Sequence, residues 1–322
     1  MEVSKKERRR MSKDISEKRL EEYEDVFADI FNNLVASGKK IVEEDELESL
    51  PTEAFTRNHD GSLRQGNRDV RKVDKKYNQY HLILGLENQQ GLDNTMPVRT
   101  LGYDYATYED QIQEIMKKNK ADDNPAYTKR IHDSQKLAPA VTAVLYFGSE
   151  EWERPLTLHD VLDFSGDEEG VIRALVPDYP LNLIQLKKLP EEVRNQLTSD
   201  FWFVAEYVAR SNHPKKLDEL FADNMQIIKH PEALMDVLEA IASDARFQKV
   251  KEMLTEKERE EGVTMCSALD RIENRGITIG VSAMIRDNLD MGIGKEEIIS
   301  KLQKYLNITE EKATEYYNNY QS

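Results

Sequence analysis

Apolar positions recur along this chain with two different periods, and the changes between them mark its elements. From Leu20 to Ser37 the spacing is helical, with Tyr23, Val26, Phe27, Ile30, Phe31, Leu34 and Val35 on one broad face that predicts a helix covering a sheet. Met1 to Lys18 is too polar to pack and reads as a solvated helix or a frayed tail. Ile41 to Asp60 reads as irregular, with Pro51, Asn58 and Gly61 marking turns. A short strand then runs through Asn67 to Lys72, and a second through His81 to Gln89, whose nearly unbroken apolar run Leu82 to Leu86 predicts a central strand covered on both faces. Met96 to Gln113 reads as a helix with Pro97 in its first turn, where a missing N–H costs nothing. A lysine-rich connection, Lys117 to Lys136, leads to a buried strand at Ala140 to Phe147 that ends at Gly148; Asn182 to Leu186 predicts another. This order of helix, strands, helix and strand predicts an α/β core.

From Pro190 onward the pattern turns helical. Ser199 or Asp200 caps a helix through Arg210, and Pro231 opens another reaching Ser243. Trp202, Phe203 and Tyr207 at helical spacing read as core packing, and His213 has no companion histidine at ligand spacing. Arg246 to Asp290 reads as one long charged helix with a sparse apolar set, Val250, Met253, Leu254, Cys266, Leu269 and Ile272, which implies a packing partner and self-association. Two short helices, Gly294 to Tyr305 and Thr309 to Tyr320, follow. Glu296, Glu297, Glu310, Glu311 and Glu315 give them a poor phosphate-facing surface, so they read as an interaction module rather than a DNA reader. The expected organisation is a charged tail over residues 1–19, a core over 20–190, a helical subdomain over 191–245 and a helical tail over 246–322.

Composition narrows the partners. With 322 residues and 39% hydrophobic content the chain can bury a sizeable core, while a formal net charge of −16 requires any nucleic-acid contact to be local and short. The single cysteine, Cys266, excludes an intramolecular disulfide and fits a reducing cytoplasm. No apolar run has the length of a membrane span, and Met1 to Arg19 lacks the apolar core of a signal peptide, so a cytoplasmic protein with no membrane partner is expected.

The chemistry gathers on the two short strands. Glu87 and Gln89, two apart on one strand, project to the same face, and Asn88 points the other way or offers its carbonyl. With Asp69 on the neighbouring strand, two carboxylates meet at one point. Without a cation they repel and one takes up a proton; hard oxygen ligands suit Mg²⁺ or Mn²⁺, and no His/Cys cluster suits zinc. The bland reading of the same residues is solvated acids at strand ends. Arg64, Arg68, Arg71, Lys72, Lys75 and Lys76 cluster around Asp69, either as a phosphate-binding patch or as a solvated edge. Arg99 and Tyr103, four apart, share a helix face; they either grip a phosphate and support a metal ligand, or pair and pack structurally.

Asp25 to Phe31, Arg68-Asp69-Val70, Gly85 to Gln89, Met96 to Asp104 and Val144 to Gly148 are similar to successive blocks of the recombination-promoting nuclease, or YhgA-like putative transposase, family, and Asp270 to Gly276 resembles the charged helical tails its members carry. That family belongs to the PD-(D/E)xK nuclease superfamily, and the resemblance runs over about residues 20–250. It implies a restriction-endonuclease-like core with a mixed central sheet flanked by helices, in which Asp69 and Glu87 bind Mg²⁺, the Asn88 carbonyl completes the shell, and Gln89 occupies the usual lysine position. It further implies phosphate contacts from Arg68, Arg71, Lys72 and Arg99, support from Tyr103, DNA as substrate, and a role in recombination, mobile elements or defence. No proline precedes Asp69, and Gln89 is neutral where lysine would carry charge. The expectation is a metal-dependent DNA endonuclease, with a catalytically weak DNA-binding or scaffold protein acting through its helical tail as the alternative.

Overall fold

The computed structural model describes residues 16–57, 63–67, 69–76, 79–121, 130–132, 134–212, 221, 224–242 and 244–321. The chain divides into two units, one of residues 1–217 with 236–243 and one of 218–235 with 244–322.

The first unit opens with a short helix α1 (residues 16–21) and α2 (Glu24–Asp29), which runs on as a wider π-helical turn, Ile30–Val35. Val26, Phe27, Ile30 and Phe31 on its inner face are fully buried. Five strands, β1 (Leu47–Ser49), β4 (Val70–Lys76), β5 (Gln79–Gln89), β6 (Ala140–Tyr146) and β7 (Asn182–Gln185), form a sheet in that spatial order. A separate antiparallel hairpin joins β2 (Glu53–Arg57) to β3 (Leu63–Asn67). The pairs β1/β4 and β4/β5 are antiparallel, and β5/β6 and β6/β7 are parallel. A parallel neighbour requires a crossover, which α3 (Met96–Ala121) supplies between β5 and β6.

Both faces of the sheet are covered, as the run Leu82 to Leu86 predicts. Lys72, whose register partner is Leu84, lies against Phe27 of α2 on one face. Thr142 and Glu87, on the other, bond to Asp104 and to Arg99 of α3.

Four expectations change. Ile41 to Asp60 is not irregular: β1 and β2 lie in it, and three residues, Leu47 to Ser49, are too few to display a period before they pair with a strand some 25 positions away (Leu47↔Asp74). The helix after β5 does not stop at Gln113; Lys117, Lys118 and Lys120 disguise its last turns, which Asn119 secures by trading amide hydrogen bonds with Gln135 at 3.0 and 2.8 Å. The helices Glu191–Arg194 and Phe201–Arg210 belong to the first unit rather than to a subdomain of their own. Asp29 of α2 anchors them, accepting the backbone N–H of Ser199 at 2.9 Å, that of Thr198 at 3.0 Å and the Ser199 hydroxyl at 2.6 Å.

The fourth change is in the second unit, where the single helix expected over 246–290 is broken into Ala245–Met253, Glu256–Glu261 and Met265–Asp290. Gly262 (φ +88°) turns the chain into a short strand, Val263–Thr264, that pairs with Ile227–Ile228. Val281, Ile285, Ile298, Leu302, Ala313 and Tyr317 then pack the end of the long helix against Lys295–Leu306 and Glu310–Gln321. Among the described residues no helix is long and apolar enough to cross a membrane.

Candidate active site

Register decides which side chains meet. Val70 pairs with Leu86 and Arg71 with Gly85, so one step further Asp69 comes beside Glu87. The strand expected over Asn67 to Lys72 is not one strand: Asn67 ends β3, β4 begins at Val70, and Asp69 sits in a bend just ahead of it, its N–H donating to the Leu86 carbonyl at 3.1 Å. Its Oδ2 accepts the Asn88 backbone N–H at 2.6 Å, and its Oδ1 meets Lys18 Nζ at 2.7 Å.

Glu87 turns toward α3 and is 4% exposed. Its Oε1 takes the Arg99 guanidinium and the Tyr103 hydroxyl, the latter at 3.4 Å. Arg99 also donates to Tyr103 at 3.1 Å and pairs with Asp93 at 2.9 Å. Glu87 Oε2 is buried with no hydrogen-bond partner. Burial, then the neighbouring charge of Asp69, pushes the Glu87 carboxyl up to about 7, against the opposing pull of Arg99 and Lys18.

On the opposite face of β5 the site is closed by α1. Asn88 Nδ2 donates to Glu21 at 2.8 Å, and Gln90 Nε2 donates to Glu17 at 2.8 and 3.1 Å. Four residues of helix rise about 6 Å and two residues of strand about 7 Å, so Glu17 and Glu21 match Asn88 and Gln90 pair for pair. Burial raises the Glu21 carboxyl well above its ordinary range despite the Asn88 bond, with Glu17 and Asp69 adding to the rise. Glu21 Oε1 and Asn88 Oδ1 are likewise buried without partners.

The polar tail expected up to residue 19 therefore includes residues 16–19 of a packed helix, and Glu17, Lys18 and Glu21 were not singled out from the sequence. Their signal was the four-residue spacing of Glu17 and Glu21 about Leu20, which the surrounding charge run hides. Asp29 faces neither solvent nor the site; it holds the 198–199 turn.

The proposed phosphate contacts fare unevenly. Lys72 is fully buried on the α2 face, bonded to Glu24 at 2.9 Å, the Glu22 carbonyl at 2.5 Å and Ser49 at 3.1 Å, so it offers no phosphate contact. Arg71 is turned under α3 toward the Pro51 carbonyl and Asp110, each at 3.3 Å, and is also withdrawn from solvent. Alternation along β4 sends one to each face of a sheet covered on both, and that buries both cations. Arg68 lies outside the described residues, as does His213. Arg99 keeps a partly exposed side chain beside Glu87. Gln89 directs its amide to the Gly91 carbonyl at 2.6 Å, within its own turn.

Glu87 Oε2, buried without a partner beside Asp69, is a hard oxygen of the kind Mg²⁺ or Mn²⁺ takes, and in that respect the carboxylate pair fits a divalent ion; Asn88 Oδ1, also unpartnered, lies on the α1 face of β5 and does not converge with it. Among the described residues no three His, Cys, Asp or Glu side chains are gathered as a ready metal cluster. Comparison with protein-family models, with curated proteins and with solved structures found no match to this chain.

Proposed function

We propose that this protein is a divalent-metal-dependent DNA endonuclease with the PD-(D/E)xK arrangement its sequence resembles. One observation carries the reading: Asp69 and Glu87 stand at neighbouring positions of adjoining segments, close enough for the charge of Asp69 to help lift Glu87 to about 7, with Glu87 Oε2 unpartnered. Such a pair is relieved by a proton or by a dication.

Asp69 and Glu87 would hold Mg²⁺ or Mn²⁺, with the Asn88 carbonyl as a further oxygen. The bound ion would supply a water of lowered pKa and charge stabilisation at the phosphate. The protein's own groups act around it. Arg99, fixed between Glu87 and Asp93, presents a guanidinium to substrate phosphate. Tyr103 fixes the Glu87 rotamer. Gln89 orients the attacking water only by giving up its bond to Gly91. The proposed setting is cytoplasmic, with DNA as the partner, homo-association through the C-terminal helices, and a role in recombination, mobile elements or defence that rests on the resemblance alone.

A catalytically weak DNA-binding or scaffold protein is the second reading, favoured by the neutral Gln89 and by donors already seated on both oxygens of Asp69. Plasmid incubated with wild type, Asp69→Ala and Glu87→Ala, with Mg²⁺ or with chelator, separates the two. Nicking confined to the wild type with Mg²⁺ is expected; equal nicking by all three proteins, or none with any metal, overturns the catalytic assignment.

A further inference from the structure

The two oxygens of Asp69 are held by donors of different kinds. The donor on Oδ2 is the backbone N–H of Asn88, fixed in β5 by the sheet. The donor on Oδ1 is the Lys18 ammonium at 2.7 Å, carried on a flexible four-carbon stem whose side chain is 37% exposed. On Glu87, Oε1 is already taken by Arg99 and Tyr103, and only Oε2 has no donor. A dication approaching Asp69 therefore meets two donors, and only the ammonium can withdraw without breaking the sheet.

Helix α1 holds Lys18 in place. Glu17 and Glu21 on either side of it are locked to Gln90 and Asn88, and Leu20 between them is buried. Lys18 thus occupies Asp69 as a tethered monovalent cation, beside two further carboxyls, Glu21 and Glu87, whose charge it also offsets.

We propose that Lys18 is a built-in counter-cation of Asp69, competing with a divalent ion for the same carboxylate and leaving it when the ion binds. This rests on the assignment of Asp69 as a metal ligand. In the metal-free protein the ammonium keeps Asp69 neutralised and oriented, and on binding it swings into solvent.

The test is a Mn²⁺ titration followed by the electron paramagnetic resonance of free Mn²⁺, on the full chain at fixed pH and ionic strength. Wild type, Lys18→Met, Lys18→Arg and Asp69→Asn are compared, with thermal melts to verify folding. Removing one adjacent positive charge and its competition tightens Mn²⁺ binding at least about tenfold in Lys18→Met. Lys18→Arg, which keeps the cation, stays within about threefold of wild type, and Asp69→Asn weakens binding. Unchanged or weaker binding by Lys18→Met, with Asp69→Asn still weakening it, overturns the role of Lys18 and leaves the metal site standing. Binding insensitive to Asp69→Asn, or no saturable site in any variant, overturns both.

Discussion

Glu87 ties the site to pH. Its carboxyl has an ordinary pKa of 4.5 and is raised in the folded protein to about 7. Below the lower value it is protonated whether the chain is folded or not, and nothing is lost. Between the two values the unfolded chain has given up the proton while burial and Asp69 make the folded protein keep it, so stability falls as pH rises across that window by about 3 kcal/mol at about 1.4 kcal/mol per unit, and the loss is complete once pH passes the upper value. Glu87→Gln removes the titration, and urea unfolding in chelator should find it more stable than wild type at pH 8 while the two converge in acid. Glu21 has the same sign, and Glu21→Gln, an isostere of the neutral acid, should also gain stability at neutral pH. Lys72 makes the opposite point about charge. Because it is buried with three oxygen partners, Lys72→Ala should lose about 3 kcal/mol of stability by urea unfolding. A surface phosphate-binding lysine would show no such loss.

At the scale of elements, the helix and strand periods carried most of the weight, and the breaks in them were set by single residues. A Cβ on Gly262 would come within 2.4 Å of the Ile228 carbonyl oxygen, at a φ that side chains rarely adopt. Gly262→Ala should therefore cost the second unit at least about 2 kcal/mol, measured as a lowered melting transition, because backbone cannot yield as a side-chain tip does. Asp29 joins α2 to the helix beginning at Phe201 through bonds to two backbone N–H groups and a hydroxyl. Replacing it by Ala orphans those donors and should loosen the 198–210 segment, seen as faster amide exchange there.

At the scale of the molecule, the net charge of −16 opposes DNA and makes any contact short. Among the described residues Arg71 and Lys72 are withdrawn from solvent, which leaves Arg99 as the candidate phosphate contact at the proposed site. The slope of log binding constant against log salt, measured by fluorescence anisotropy, should have a magnitude below about 3. For self-association, residues 218–235 fold with 244–322, so truncating the tail would strip the strand partner from buried Ile228 and confuse the result. Serine at the exposed apolar positions Ile277, Met291 and Tyr305 leaves that core intact, and the triple variant should shift to a monomer by light scattering if the C-terminal helices mediate assembly.

Apolar runs and alternation are local signals, and from them the α/β class, the central position of β5 and the strands Ala140–Tyr146 and Asn182–Gln185 were legible in the chain. The same signals put Glu87 and Gln89 on one strand, whereas Asp69, expected on the strand beside it, sits in the bend ahead of β4. It took the folded packing to bury Arg71 and Lys72 on opposite faces, to seat the tail's end as α1 and to bring Lys18 to Asp69. Those outcomes depend on pairing between residues some 50 positions apart, and on a sheet covered on both sides. Neither leaves a period in the chain: a charged residue reads the same in sequence whether solvent or a distant partner answers its charge.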